Sequence, residues 1–146
     1  MNKHALLLLL LFAGCTMRPK PKSTVLFVCP YGGAKSVIAA SYFNRIAQER
    51  GMPYTAVAAA AEEPYEAVPG PVAELLARDG FDVRTFKPRR VDAQVMKNAA
   101  AIVTIDCKVE ADDVQRWDDV PKVSVDLEGS AAAIRRHVEA LAEELP

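Results

Sequence analysis

The 146-residue chain carries 18 Lys and Arg against 19 Asp and Glu, a formal net charge of -1, with 51% hydrophobic and 25% charged residues. That length supports one domain with a real core but not two, and that balance excludes a disordered chain. There is no basic excess to suit nucleic acid, no CxxC pair, and only two distant histidines, His4 and His137, so neither a metal site nor another cofactor is expected.

At the N-terminus Lys3 and His4 precede Ala5 and an unbroken run from Leu6 to Leu11, followed by Phe12-Ala13-Gly14-Cys15. A cation, a short apolar core and small residues form the pattern of a secretory signal. The run is too short to span a bilayer, which takes about 20 residues. Its ending resembles the bacterial lipobox, which implies cleavage before Cys15 and diacylation of that thiol. Residues 1–14 are therefore expected to be a signal peptide, and residues 15–23 a lipidated cysteine with its tether. The domain is expected over 24–146. Arg18, Pro19, Lys20, Pro21 and Lys22 would keep the tether extended. The protein is expected to be exported and held to a membrane through its lipid. Two alternatives stay open: cleavage without lipidation, and a true start at Met17, which would leave the protein cytoplasmic.

Thr24-Val25-Leu26-Phe27-Val28-Cys29 is a continuous apolar run, the pattern of a strand buried on both faces of a parallel sheet. Pro30 to Ala34 reads as a loop. Ile38, Tyr42, Phe43, Ile46 and Ala47 then recur at helical spacing, and Gly51 ends that helix. Tyr54 to Ala60 reads as a second strand. Pro69 to Arg78 reads as a helix with Val72, Leu75 and Leu76 inward, stopped by Gly80. A basic loop, Lys87-Pro88-Arg89-Arg90, leads to a short helix over Asp92 to Lys97. Ala101 to Ile105 is the expected third strand and Lys122 to Val125 the fourth. Ser130 is expected to cap a last helix with Ile134, Val138, Leu141 and Leu145 on one face. The alternation predicts an α/β fold: three layers, a four-stranded and mainly parallel sheet, helices on both faces.

In such sheets ligands bind at the carboxyl ends of the strands. Cys29 stands at that end of the first strand, and Lys35 and Ser36 open the helix that follows. Gly32 and Gly33 let the backbone fold tightly enough for successive N–H groups to share one space. The helix N-terminus adds its own unpaired N–H groups and partial positive charge. Pro30, Tyr31, Gly32, Gly33 and Ala34 thus form an expected oxyanion loop with a thiol at its base. The same field favours the thiolate, the nucleophilic form. A cation in the first helical turn opposes the dipole, so an anionic ligand is the better reason for Lys35.

Val25 to Cys29, five residues, then Lys35-Ser36 resembles the signature of the low-molecular-weight protein tyrosine phosphatases, shared by the thioredoxin-coupled arsenate reductases. Pro69-Gly70-Pro71-Val72-Ala73 through Gly80-Phe81-Asp82 is similar to a later stretch of that family. So are Lys87 to Val91 and Ile102-Val103-Thr104-Ile105-Asp106, so the resemblance runs over most of Thr24 to Leu145. It implies a two-step hydrolysis through a cysteinyl phosphate. Cys29 matches the nucleophile, Ser36 the hydroxyl that bonds the thiolate, and Asp126 the acid that protonates the leaving oxygen. Asp118 and Asp119 are fallback acids.

The sequence departs from the family at several points. Lys35 stands where the family has arginine, whose planar fork binds two oxygens at once. A positioned arginine is worth about 10³–10⁵ in phosphoryl transfer, so a slow enzyme or an oxyanion binder is expected. Gly32 replaces an asparagine that braces the loop, and Asp126-Leu127 replaces Asp-Pro. The expected ligand is phosphate, arsenate or a phosphotyrosine-type group. The first function is hydrolysis of phosphotyrosine or small phosphate monoesters. A catalytically silent module that binds oxyanions or phosphoproteins is the second. Arsenate reduction with an external thiol is the third, because Cys107 alone cannot supply the family's relay of further cysteines. A Cys29–Cys107 disulfide stays open. The sequence carries no signal for an oligomeric state.

Overall fold

The computed structural model describes residues 22–146. The signal segment, Cys15 and most of the tether lie outside the described residues. Among the described residues no helix is long and apolar enough to cross a membrane.

The apolar run forms strand β1, Thr24–Cys29, buried from Val25 onward. Helix α1, Lys35–Glu49, follows, and then β2, Thr55–Ala60. Helix α2 is Gly70–Arg78, with proline in its first turn, and α3 is Ala93–Asn98. β3, Ala101–Ile105, and β4, Val114–Trp117, complete the sheet, and α4, Leu127–Glu144, closes the chain. The strands lie in the order β2-β1-β3-β4, and every neighbouring pair is parallel.

This order sets the position of the site. β1 is flanked by β2 on one side and by β3 on the other, so the connections leave β1 in opposite directions. The crevice at such a reversal is where open parallel sheets take ligands. Cys29 ends β1 there, and Asp106 follows β3.

The two faces of the sheet differ in thickness. Val25, Phe27, Val103, Ile105 and Trp117 pack against α1, α2 and α4 through Ile38, Phe43, Val72, Leu76, Ile134 and Val138. Phe27 is central, with its ring 5.9 Å from Phe43 and 5.5 Å from Trp117. The opposite face is smaller: Leu26, Val28, Ala59 and Ile102 lie under Val91, Met96 of α3 and Cys107. The alanines of β2 are small enough for α1 to lie close above them. β2 is an edge strand, and Asn44 of α1 covers part of that edge. Its Nδ2 donates to the Ala56 carbonyl at 3.1 Å, and the Ala56 N–H donates to its Oδ1 at 2.7 Å. Such side-chain cover blunts a sheet edge against pairing with other chains.

Two expectations are corrected. The fourth strand is Val114–Trp117, not Lys122 to Val125. The latter segment is a turn in which the N–H groups of Val125 and Asp126 both donate to the Lys122 carbonyl. Val125, read as a strand residue, is 81% exposed. β4 escaped notice because, as an edge strand, it exposes Gln115 and Arg116, which leaves no apolar alternation. The last helix is capped by Asp126, not Ser130: Asp126 Oδ1 accepts from the Gly129 N–H at 2.8 Å. Ser130 is buried in the first turn, and its single hydroxyl proton is shared between the carbonyls of Pro121, at 2.6 Å, and Asp126, at 2.7 Å.

Candidate active site

The loop after β1 continues the pairing that β1 makes with β2. The carbonyls of Cys29, Pro30 and Tyr31 accept from the N–H groups of Ala61, Glu62 and Tyr65 at 3.0, 2.9 and 3.0 Å. In a planar trans peptide the N–H points opposite to the C=O. The N–H groups of Tyr31 and Gly32 therefore point away from residues 61–65. Pro30 has no N–H to offer. The pairing braces the first half of the loop against the segment after β2.

Gly32 is required by both space and turn geometry, whereas Gly33 is constrained mainly by a neighbouring side chain. Gly32 has φ +68°, and a Cβ there would lie 2.8 Å from the Ala60 nitrogen and 3.0 Å from the Ala59 carbonyl carbon. At Gly33 a Cβ would meet the Tyr65 ring at 2.9 Å. Helix α1 then begins at Lys35, and no side chain caps its N-terminus. First-turn N–H groups without a side-chain acceptor suit an anion.

Cys29 is buried at the floor of this loop, with Sγ 3.1 Å from Ser36 Oγ. Ser36 itself is fully buried in the first turn of α1. Above them opens a cavity of about 830 Å³. Cys29, Pro30, Tyr31, Gly33, Ala34 and Lys35 contribute from the loop, and Tyr65, Val72, Asp106, Val123 and Leu127 from elsewhere. The Tyr31 and Tyr65 rings lie 4.9 Å apart at an interplanar angle of 31°, each nearly half exposed. They make one wall aromatic.

Lys35 is 7% exposed and does not project into solvent. Its Nζ pairs with Asp106 Oδ2 and donates to the Val120 carbonyl at 3.1 Å. It thereby ties the start of α1 to the end of β3 and to the segment after β4. That segment is also held by His137 of α4, which stacks on Trp117 at 4.7 Å and reaches Asp119 Oδ1 at 2.8 Å. The His137 bond holds the Asp119 carboxyl below the usual carboxylate range.

The structure thus gathers Cys29, Lys35, Ser36 and the loop from Pro30 to Ala34. The three late aspartates are each engaged elsewhere: Asp126 caps α4, Asp118 holds Arg116 at 2.9 Å, and Asp119 holds His137. Asp126 does not line the cavity, although its neighbour Leu127 does. Asp106 and Tyr65 also line the cavity, and neither is marked as a site residue by any sequence motif. Asp106 was legible in principle, because it ends the strand beside β1. Tyr65 lies in an irregular loop, and no sequence signal marks it.

Cys107 faces the other side of the sheet. Its Sγ donates to the Val28 carbonyl at 3.3 Å, and burial pushes its thiol up to about 11. Cys29 and Cys107 are both free thiols. Among the described residues no cluster of His, Cys, Asp or Glu could hold a metal ion.

A buried thiol below a glycine loop, at the reversal point of a four-stranded parallel sheet, defines an α/β protein of thiol-phosphatase architecture. Residues 24–125 match the family model of low molecular weight phosphotyrosine protein phosphatases, and the chain belongs to that family. Among solved structures, an arsenate reductase from Archaeoglobus fulgidus is 31% identical, with a TM-score of 0.67 over 80% of this chain and 97% of that one. A low molecular weight protein tyrosine phosphatase from T. tengcongensis is 19% identical, with a TM-score of 0.73 over 84% and 99%. An arsenate reductase described in a phosphate-binding state is 13% identical, with a TM-score of 0.70 over 85% and 99%. The last two share the fold. No curated protein matches in sequence.

Proposed function

We propose that this protein is a slow thiol phosphatase acting on phosphotyrosine or small aryl phosphate monoesters. The observation that carries this is the Cys29 Sγ–Ser36 Oγ contact of 3.1 Å on the floor of a cavity lined by Lys35 and two tyrosines. In the first step the Cys29 thiolate attacks phosphorus, forming the S–P bond as the P–O bond to the aryl group breaks. The leaving oxygen takes a proton. Water then attacks phosphorus, the S–P bond breaks, and the thiolate returns as phosphate leaves. Ser36 Oγ donates to the sulfur whenever it is anionic, which stabilises it both as nucleophile and as leaving group. Loop N–H groups and Lys35 balance charge on the phosphoryl oxygens.

Asp126 is assigned as the proton donor. That assignment rests on the family resemblance, and to serve, its carboxyl must swing into the cavity, which it does not line. Trapping tests the first step: acid quenching during turnover of an aryl phosphate should leave one phosphoryl group on Cys29, detected by peptide mass. A quenched protein with no such adduct, and no hydrolysis above Cys29→Ser, would refute the proposal.

Lys35 engaged by Asp106, and the absence of any Asp-Pro dipeptide from the chain, favour a silent oxyanion-binding module as the second reading. The 31% identity to an arsenate reductase supports a third. In it, Cys29 adds to arsenate with loss of water. An external small thiol then attacks the Cys29 sulfur, two electrons pass to arsenic, and arsenite leaves. A second thiol clears the mixed disulfide. No arsenite formation with glutathione or thioredoxin would remove this reading. We also propose, from the segment before the described residues, export and lipid anchoring at Cys15.

A further inference from the structure

Lysine and arginine differ in how many partners they can hold at once. An ammonium has three N–H donors radiating from one nitrogen, whereas a guanidinium has five spread over a planar fork. An arginine can hold a carboxylate with one edge and an oxyanion with another. Lys35 has already committed two donors, one to Asp106 and one to the Val120 carbonyl. One donor remains for a ligand, and the ammonium's single charge is already balanced by a carboxylate inside the same cavity.

Asp106 is built to be there. It has φ 55° in the left-handed region, which Asp and Asn tolerate better than other side-chain-bearing residues. This turn ends β3. The Asp106 carboxylate meets Lys35 while the next side chain, Cys107, meets the Val28 carbonyl of β1. Among the described residues Lys35 is the only hydrogen-bonding or ionic partner of the Asp106 side chain, which is one-third exposed and lines the cavity. The charged or ionisable groups lining the cavity, apart from the tyrosines, are Cys29, Lys35, Asp106 and the exposed Lys122.

We infer that Asp106 is a specificity-determining residue, an internal anion that competes with the incoming oxyanion for the donors of Lys35. The inference rests on the oxyanion-cradle reading of this loop. A ligand gains full use of Lys35 only by displacing the Asp106 carboxylate. A doubly charged oxyanion that enters without displacing it meets that negative charge at close range. The cavity therefore rejects free dianions of weak affinity. It admits ligands whose attached group, such as an aryl ring against Tyr31 and Tyr65, contributes binding that offsets the displacement. A free inorganic oxyanion has no such group, so product release and resistance to ambient phosphate follow from the same contact.

The test is calorimetry with sulfate, a tetrahedral dianion whose charge does not change across neutral pH. Wild type is compared with Asp106→Asn and Asp106→Gly, both compatible with a positive φ, with thermal melts confirming that each variant folds. Both variants should bind sulfate at least about tenfold more tightly than wild type. In a Lys35→Arg background the gain from Asp106→Asn should shrink to less than about threefold, because the fork can serve both anions. Wild type binding sulfate as tightly as either variant would overturn the inference and leave the cradle reading standing. An equal gain in the Lys35→Arg background would overturn the competition for donors in favour of simple repulsion. No sulfate binding by any of the proteins would overturn the inference and the cradle reading together.

Discussion

Gly32 and Gly33 differ in what surrounds them, and that difference separates two otherwise similar substitutions. A methyl group at Gly32 would strike backbone atoms of Ala59 and Ala60, and φ is +68°. Neither obstacle can move without breaking the β1–β2 pairing. Gly32→Ala should therefore destabilise the fold by roughly 1–3 kcal/mol and abolish activity, as read by thermal melting and aryl phosphate turnover. At Gly33 the nearest obstacle is the Tyr65 ring, a side chain that can swing aside, with the Ala67 carbonyl next at 3.3 Å. Gly33→Ala should melt close to wild type and alter KM more than stability. Cys107 offers a second check at this scale. With its thiol raised to about 11, it should resist iodoacetamide at neutral pH and react faster only as pH rises toward that value. Rapid alkylation of Cys107 at pH 7, mapped by peptide mass, would contradict the burial seen here.

Among the elements, Asp126 is the residue on which two roles meet. It caps α4, and it is the assigned proton donor. Asparagine caps as well as aspartate but carries no acid proton, whereas alanine does neither. Asp126→Ala should cost about 1 kcal/mol of stability as a lost cap. Asp126→Asn should leave stability unchanged and lower kcat by about 10²–10⁴ if the carboxyl is the general acid. Equal kcat for wild type and Asp126→Asn would remove it from the chemistry and leave only the cap. The same region shows why some elements were legible and others not. β1 and β3 are buried on both faces, so their apolar runs announced them, and α1 and α4 kept a helical stripe. β4 is polar on its exposed face and hid, while Lys122 to Val125 alternated like a strand but lies beyond the sheet. Ser130 looked like a cap, because cap and first-turn positions both favour small hydroxyl residues near a helix start. The loop from Cys29 to Ser36 was legible because its function depends on local order. Asp106 and Tyr65 join it through tertiary contact, which no local pattern records.

For the whole molecule, α1 and the turn after α2 are joined through Tyr42, whose hydroxyl pairs with Asp79 Oδ2. Burial, reinforced by that hydrogen bond, pushes the Tyr42 hydroxyl up to about 12 from 10.0. The folded state holds the proton more tightly than the unfolded one, so this contribution is complete below pH 10 and is lost as pH rises through about 12. Denaturant titrations should show stability falling more steeply between these limits in wild type than in Tyr42→Phe. Anchoring is tested in the full chain: a radiolabelled fatty acid should be incorporated when the gene is expressed in bacteria, and Cys15→Ser should abolish the label. Label-free protein in the cytoplasm would instead favour Met17 as the start. The most direct test of the account is the steady-state rate of aryl phosphate hydrolysis under reducing conditions for wild type, Cys29→Ser and Lys35→Arg. The account predicts a slow wild type, no activity in Cys29→Ser, and a faster Lys35→Arg. Three rates at background would contradict catalysis by Cys29 and leave the loop as a binding cradle.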